Sequence, residues 1–247
     1  MPIIGCDCAV CQSDDPKDKR LRVSILVQVD GKNIVVDAGP DFRQQLLRTG
    51  ISHLDAVLLT HEHNDHIIGI DDVRPFYFRQ KQDIPFYATE RVQEDLKKRF
   101  EYIFAEDKYP GVPSLSLNTI SKDQPFEIDG IPIIPIEVMH GKLPILGFRF
   151  GDFTYITDAK TINDIELEKV KGTKYLVLNA LHHDEHHSHL NLKQALEMIK
   201  KINPQHTFLT HISHQMGKYA EVEQLLPKNV ELAYDMLTLD VRSCAII

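Results

Sequence analysis

The sequence predicts an α/β fold, a single domain of layered β-sheets with helices on the outside. Two local patterns carry that expectation. Ala56-Val57-Leu58-Leu59 is a continuous apolar run of the kind buried on both faces of a sheet. From Thr154 onward, strand-like and helix-like segments alternate. Size is the third observation: 247 residues, 43% hydrophobic and 26% charged, suffice for a substantial core, which excludes a disordered, collagenous or coiled-coil chain.

The elements follow in order. The charged stretch Ser13 to Arg20 reads as solvated surface. Val23 to Val29 alternates as a strand, Asp30-Gly31-Lys32-Asn33 turns the chain, and Ile34 to Asp37 returns as the hairpin partner. Asp41 to Arg48 is a short helix that stops before Gly50, and the apolar strand Ala56 to Leu59 follows. Arg91 to Phe104 is helical until Tyr109-Pro110-Gly111-Val112-Pro113 breaks the pattern. Strands are expected at Ile131 to Val138, Gly147 to Phe150 and Thr154 to Thr157. Beyond them come helix Asp164 to Val170, strand Tyr175 to Leu178, helix Leu192 to Ile202 and strand Thr207 to Leu209. Helix Lys218 to Leu225 precedes a terminal strand at Met236 to Val241. With no repeat and no Gly-, Ser- or Pro-rich linker, residues 1–247 form one domain, in which 1–20 is a Cys-rich loop and 83–118 covers the mouth of the site.

A net charge of −8 disfavours a nucleic-acid surface, whose affinity comes from Lys and Arg neutralising phosphates. A small anionic substrate remains compatible with it, because a cationic pocket or a metal ion reverses the local field. No apolar run approaches the roughly 20 residues of a membrane span, and the N-terminus lacks a secretory layout. The expectation is a cytoplasmic protein without a membrane partner. The anomaly in the composition is histidine: thirteen, against twelve glycines.

Cys6, Cys8 and Cys11 are too compressed for a disulfide framework and converge readily on one metal ion. Three thiolates and one histidine would close a tetrahedral zinc site, the fourth ligand coming from elsewhere in the chain. Cys244 reads as a buried small hydrophobe.

The strand Ala56 to Leu59 runs into Thr60-His61-Glu62-His63-Asn64-Asp65-His66, at the strand end where sheets collect ligands. In an extended segment His61 and His63 face the same way and can grip one cation. Asp65 and His66 turn away and could serve a second, giving a pair that polarises phosphoryl oxygens and activates water. Packing or solvation alone gives no reason to gather three imidazoles and a carboxylate there. Three further residues at the ends of expected strands, His140, Asp158 and His211, read with them as one shell.

This His-x-His-x-Asp-His run, with single His, Asp and His residues after it, resembles the metallo-β-lactamase superfamily over nearly the whole chain. The resemblance implies an αββα sandwich, two sheets face to face with helices outside. It further implies that His61, His63 and His140 hold one metal, that Asp65, His66 and His211 hold the other, and that Asp158 bridges them. Asp37 is similar to the superfamily's first motif aspartate, which orients the ligand loop. Pro2-Ile3-Ile4-Gly5-Cys6-Asp7-Cys8-Ala9-Val10-Cys11, Asp71-Asp72-Val73-Arg74-Pro75-Phe76 and Thr210-His211-Ile212-Ser213-His214 resemble the PhnP-like phosphoribosyl cyclic-phosphate phosphodiesterases. By that resemblance Cys6, Cys8, Cys11 and His214 hold a structural zinc, and His189 is a nonligand histidine of the active site. Relatives in that group resemble one another in carrying a first strand and a Gly-rich turn ahead of the Pro-x-x-Gly-Cys stretch, so the expectation is either a start codon placed too late or a sheet that lacks its first strand and exposes an unpaired edge.

The function so implied is a binuclear metal-dependent phosphodiesterase acting on a small, cyclic phosphodiester. Asp65 and His189 are the catalytic candidates, His189 giving a proton to the leaving alkoxide. Arg74 and Lys142 are weaker candidates for a phosphate contact, and Arg74 reads first as a partner of Asp71 or Asp72. The two active-site cations are zinc or manganese, with iron or nickel compatible with the same ligands. The expected partners are a small phosphorylated substrate and, at most, a second copy in a homodimer. A tRNA 3′-processing endonuclease on the same core is disfavoured by the charge and by the roughly thirty residues between Asp158 and His189, too few for an RNA-binding arm. That endonuclease is the closest enzymatic rival, and thioester or lactone hydrolysis on the same metal core is harder to dismiss. A noncatalytic carrier of the cofactor-biosynthesis type would be marked by lost ligands, and none is lost.

Overall fold

Among residues 1–241, which the computed structural model describes, twelve strands form a five-stranded and a seven-stranded sheet. Each sheet has its own helices, as an α/β sequence predicts, and each lies in its own unit: Arg22–Gln124, and a discontinuous unit of Met1–Leu21 with the chain from Pro125 onward. Cys244 lies outside the described residues.

The 22–124 unit opens with strands β1 (Ile25–Val29) and β2 (Lys32–Val36), an antiparallel hairpin. Asp30 and Gly31 turn it, both at positive φ (48° and 76°), the pairing that matches the twist of the strands. Helix α1 (Phe42–Thr49) ends at Gly50 in the left-handed conformation. Strands β3 (Ala56–Leu58), β4 (Ile84–Ala88) and β5 (Leu115–Thr119) then add in parallel, giving the order β1-β2-β3-β4-β5. Between them lie helices α2 (Asn64–Ile67), α3 (Arg74–Gln80), α4 (Glu90–Arg99) and α5 (Glu101–Phe104). Val35 and Val57 pack with Phe42, Phe86, Val92 and Leu96, while Ile34, Val36, Ala56 and Leu58 on the opposite face are equally buried. Burial of both faces is why this strand reads as a continuous apolar run.

Two expectations change in this unit. The helix over 91–104 is broken at Phe100, whose buried ring enters the core. Residues 83–118, expected to cover the site, supply β4, β5, α4 and α5. With Ile84, Phe86, Ala88 and Leu115 buried, the ends of that segment are core rather than cover. Pro85 hid β4, since proline demotes a strand reading.

The discontinuous unit carries β6 (Phe126–Ile128), β7 (Ile131–His140), β8 (Leu143–Phe150) and β9 (Phe153–Ile156) as an antiparallel meander. From β9 the pairing turns parallel, through α6 (Asp164–Val170), β10 (Tyr175–Asn179), α7 (Leu192–Ile202), β11 (His206–Thr210), α8 (Tyr219–Val222) and β12 (Val230–Leu232). Asn191 and Gln194 form a reciprocal capping box on α7, which is why its start is legible in the sequence. Ile136, Val138, Leu176, Leu178, Ala195, Ile199 and Leu209 share one core.

Here too the sequence misleads twice. The last strand is at Val230–Leu232, not Met236 to Val241: Val230 and Leu232 are buried at the sheet edge, whereas Met236 is half exposed. Ser13 to Arg20 is not simply solvated surface. Asp18, 1% exposed, accepts hydrogen bonds from Ser13 Oγ (2.7 Å) and Tyr219 N (2.8 Å), and buried Arg20 donates from Nε to Ala233 O (2.6 Å). The charges are spent tying the N-terminal loop to distant chain. No helix among the described residues is long and apolar enough to cross a membrane.

Candidate metal centre

In the 22–124 unit the chain bends at Thr60 after β3, and His63 has an extended backbone, φ −65° and ψ 146°, before α2 begins. His61 and His63 come together there, with His61 Nε2 3.0 Å from His63 Nδ1. Asp65 and His66 fall on α2, with His66 Nε2 3.8 Å from Asp65 Oδ2.

Asp37 ties this loop together through hydrogen bonds to Thr60 and His66. It is fully buried directly after β2, and its carboxylate accepts from Thr60 N (2.9 Å), Thr60 Oγ1 (2.9 Å) and His66 Nδ1 (2.8 Å). Burial pushes the Asp37 carboxyl up, while the charge and hydrogen bond of His66 and the bonds from Thr60 pull it down. Fixing Nδ1 of His66 would leave Nε2 as the nitrogen to meet a metal ion. The same logic applies to His61, whose Nδ1 bonds Thr60 Oγ1 at 2.9 Å.

Close backbone approach completes the brace. A Cβ on Gly39 would stand 2.1 Å from the carbonyl oxygen of Asp65. Gly39→Ala is therefore expected to shift the loop and weaken metal binding by about 10- to 100-fold, the range seen when supporting contacts of ligands are lost. Chelator titration checks this, and wild-type affinity in the variant would refute it.

In the discontinuous unit His140 is the last residue of β7, Asp158 follows β9, and His211 follows β11. His211 Nε2 lies 3.4 Å from Asp158 Oδ1, and His140 Nε2 lies 4.0 Å from Asp158 Oδ2. The Nδ1 of His140 donates to Ser188 O at 2.9 Å, which again would leave Nε2 to meet a metal ion. His189 stands in the same cluster, 4.0 Å from Asp158 Oδ2, its ring stacked on His211 and near His140. Burial first, and the imidazole of His211 next, lower His189 to about 3. The ring is thus neutral at neutral pH, and an anionic group brought against it would raise it again.

Asp37, Asp158 and His211 share a backbone feature that sequence reading does not reveal: φ of 67°, 56° and 51°, left-handed, each just past a strand end. For non-glycine residues that strain costs about 1–3 kcal/mol apiece and gathers at functional positions.

The three cysteines and His214 also come together within the discontinuous unit. Their ligand atoms all lie within 4.8 Å of one another, with His214 Nδ1 3.4 Å from Cys6 Sγ and 3.3 Å from Cys8 Sγ. Ligands about 2.3 and 2.0–2.1 Å from one tetrahedral zinc would stand roughly 3.5 Å apart, so the donors fit that ion. The Cys8 thiol is lowered to about 6, first by the backbone N–H of Cys11 and then by His214, which favours the thiolate a metal requires.

The remaining candidates are less engaged. Arg74 is exposed at the start of α3; burial raises the Asp72 carboxyl, and the charge of Arg43 first and of Arg74 last offset part of that rise. Lys142 is exposed in the β7–β8 turn. Of the neighbouring histidines, His183 and His187 are exposed, but His182 is buried. Sequence reading missed Arg22, whose Nη1 is 3.5 Å from Asp65 Oδ2 and whose backbone is held by Asp41 and Gln45. Nothing local signals a pair separated by so much chain.

A family model described as the beta-lactamase superfamily domain matches residues 32–212. Among curated proteins, an octanoyltransferase of Porphyromonas gingivalis is 41% identical over 239 residues, 96% of this chain and 48% of that protein. A coenzyme PQQ synthesis protein B of Xanthomonas axonopodis pv. citri is 31% identical over 144 residues, 54% of this chain and 44% of that protein. The chain thus spans about half the length of the curated relatives it matches. Among solved structures, one described as a new diphosphatase from the PhnP family matches with a TM-score of 0.91 and 41% identity, over 98% of this chain and 93% of that one. Zinc-bound PqqB from Methylobacterium extorquens, at 22% identity, shares the fold with a TM-score of 0.73 over 96% of this chain and 95% of that one.

Proposed function

The chain belongs to the metallo-β-lactamase superfamily as a PhnP-like member with the fold of its metal-dependent hydrolases, and from that premise we propose that it is a binuclear phosphodiesterase for a small phosphorylated substrate. The observation that carries this reading is that both ligand half-sets are intact and braced: His61, His63, Asp65 and His66 behind Asp37, and His140, Asp158 and His211. In this proposal His61, His63 and His140 would hold one cation and Asp65, His66 and His211 the other, with Asp158 available to both. Two divalent cations there, zinc or manganese, with iron or nickel compatible, would supply Lewis acidity that polarises phosphoryl oxygens and lowers the pKa of water. The substrate phosphorus gains a water oxygen in line and loses its ester oxygen. The attacking water gives one proton to solvent, and His189, protonated from solvent once the anionic substrate lies against it, would give its proton to the leaving oxygen. Cys6, Cys8, Cys11 and His214 hold a structural zinc that secures the N-terminal loop.

A linear diphosphate is the second substrate class, favoured by the similarity to the PhnP-family diphosphatase. Its phosphorus carries the same two nonbridging oxygens as a phosphodiester and makes the same demands. A tRNA substrate is disfavoured because α6 and β10 fill the stretch from Asp158 to His189, leaving no RNA-binding arm there.

The experiment is a panel assay under Mn²⁺ or Zn²⁺ with bis(p-nitrophenyl) phosphate, cyclic phosphodiesters, linear diphosphate diesters and acyl thioesters. Hydrolysis within the phosphate group of substrates, inhibited by inorganic phosphate, is expected. Turnover of thioesters alone, or of nothing in the panel, would overturn the reading in favour of an acyl hydrolase or a noncatalytic carrier.

A further inference from the structure

In the segment His61-Glu62-His63-Asn64-Asp65-His66 the intervening residues Glu62 and Asn64 are not ligand candidates, yet both are gripped. Arg91 Nη2 stands 3.2 Å from Glu62 Oε2, and Arg99 Nη1 donates to Asn64 Oδ1. Both arginines belong to α4, at its second and last positions. At about 1.5 Å per residue they start roughly 12 Å apart along the axis, and their side chains converge on alternate residues of one loop.

Each end of the clamp is itself fixed. Helix α4 is seated by Val92 and Leu96 in the core, and by Gln93, which donates from Nε2 to Ala88 O and Thr119 Oγ1, both at 3.1 Å. Asp95, one turn before Arg99, takes that guanidinium from the side: Nη2 donates to Oδ1 at 3.3 Å and Nε pairs with Oδ2, leaving Nη1 to Asn64. Glu62 is largely enclosed, its side chain 17% exposed. Glu62 lies between His61 and His63 in the chain, so holding its side chain fixes the backbone that carries both imidazoles.

We infer that Arg91 and Arg99 are positioning residues for the metal loop, acting through Glu62 and Asn64 to hold His61, His63 and Asp65 at ligating geometry. The inference rests on the metal reading proposed above and extends it to a helix outside the ligand set. Asp37 braces the loop through Thr60 and His66, and α4 braces the part between them. Preorganised ligands bind without first ordering the loop, so loosening the clamp weakens affinity and distorts coordination while the fold survives.

The test is Co²⁺ titration of the full chain, following the d–d absorption of the active-site ion. The thiolate-to-cobalt charge-transfer bands of the Cys6, Cys8, Cys11 and His214 cluster report a second site in the same sample and serve as the control. Arg91→Ala with Arg99→Ala is expected to weaken the active-site ion about 10- to 100-fold and alter its d–d band, with the thiolate bands unchanged. Arg91→Glu alone should weaken it likewise, and the charge swap Arg91→Glu with Glu62→Arg should recover most of the loss, which a merely structural role for Arg91 would not allow. Wild-type affinity and band shape in the folded alanine variant, or no recovery in the charge swap, would overturn the inference. A wild-type chain that binds cobalt only through its thiolates would overturn the metal reading itself, and this inference with it.

Discussion

Asp158→Asn is expected to lower turnover of a chromogenic phosphodiester by about 10³-fold or more while leaving the circular dichroism spectrum unchanged. The substitution keeps the size of a buried side chain and removes one negative charge at the residue proposed to serve both cations. Asp158 is 2% exposed, accepts from Thr157 Oγ1 at 2.5 Å and lies 3.4 Å from His211 Nε2. Removing one electrostatic stabiliser of a transition state costs about 10²–10³ in rate. Loss of a ligand shared by two ions adds weakened metal binding to that. The left-handed backbone at Asp158 is one that asparagine also tolerates, so the variant should fold. Turnover within a few-fold of wild type would remove Asp158 from the mechanism.

The second large effect is expected at the cysteine cluster. His214→Ala or Cys8→Ser should release the zinc and lower the melting temperature by roughly 10 °C. Structural zinc contributes about 10–16 kcal/mol of apparent binding free energy in small peptides. In a chain of this length each kcal/mol corresponds to about 2–4 °C, so retaining even a few kcal/mol of that coupling produces the shift. Not all of it appears, because the N-terminal loop is also tied by Asp18 to Tyr219 and by Arg20 to Ala233. Differential scanning calorimetry with and without a chelator checks the result. An unchanged melting temperature in a zinc-free variant would mean those ties hold the loop alone.

The parts of this protein legible in its sequence are those whose cause is local. The capping box of α7, the glycine that ends α1 and the Asp30-Gly31 turn each act within a few residues, and each element lies where its signal puts it. The metal loop is legible for the same reason, its donors being packed into one short run. What escaped depends on distant chain. Asp18 and Arg20 read as surface because nothing nearby reveals Tyr219 or Ala233, and the arginines that grip the metal loop are marked only by ordinary helix composition. His214 joins the cysteine cluster in the reading only through resemblance, since no rule of spacing links it to Cys11. The terminal strand failed for another reason: alternation after Met236 is genuine, but the sheet edge is taken by Val230 and Leu232.

The account depends on the proposed assignment of His63 and His140 to the same cation. Metal content per folded chain, measured by elemental analysis of wild type, His63→Ala, His140→Ala and the double variant, tests this directly. Wild type should carry three ions, one of them at the cysteine cluster. Each single variant should lose the same active-site ion, and the double should lose no more than either. Independent, additive losses from the two histidines, or a wild-type chain holding zinc at the cysteines alone, would contradict it.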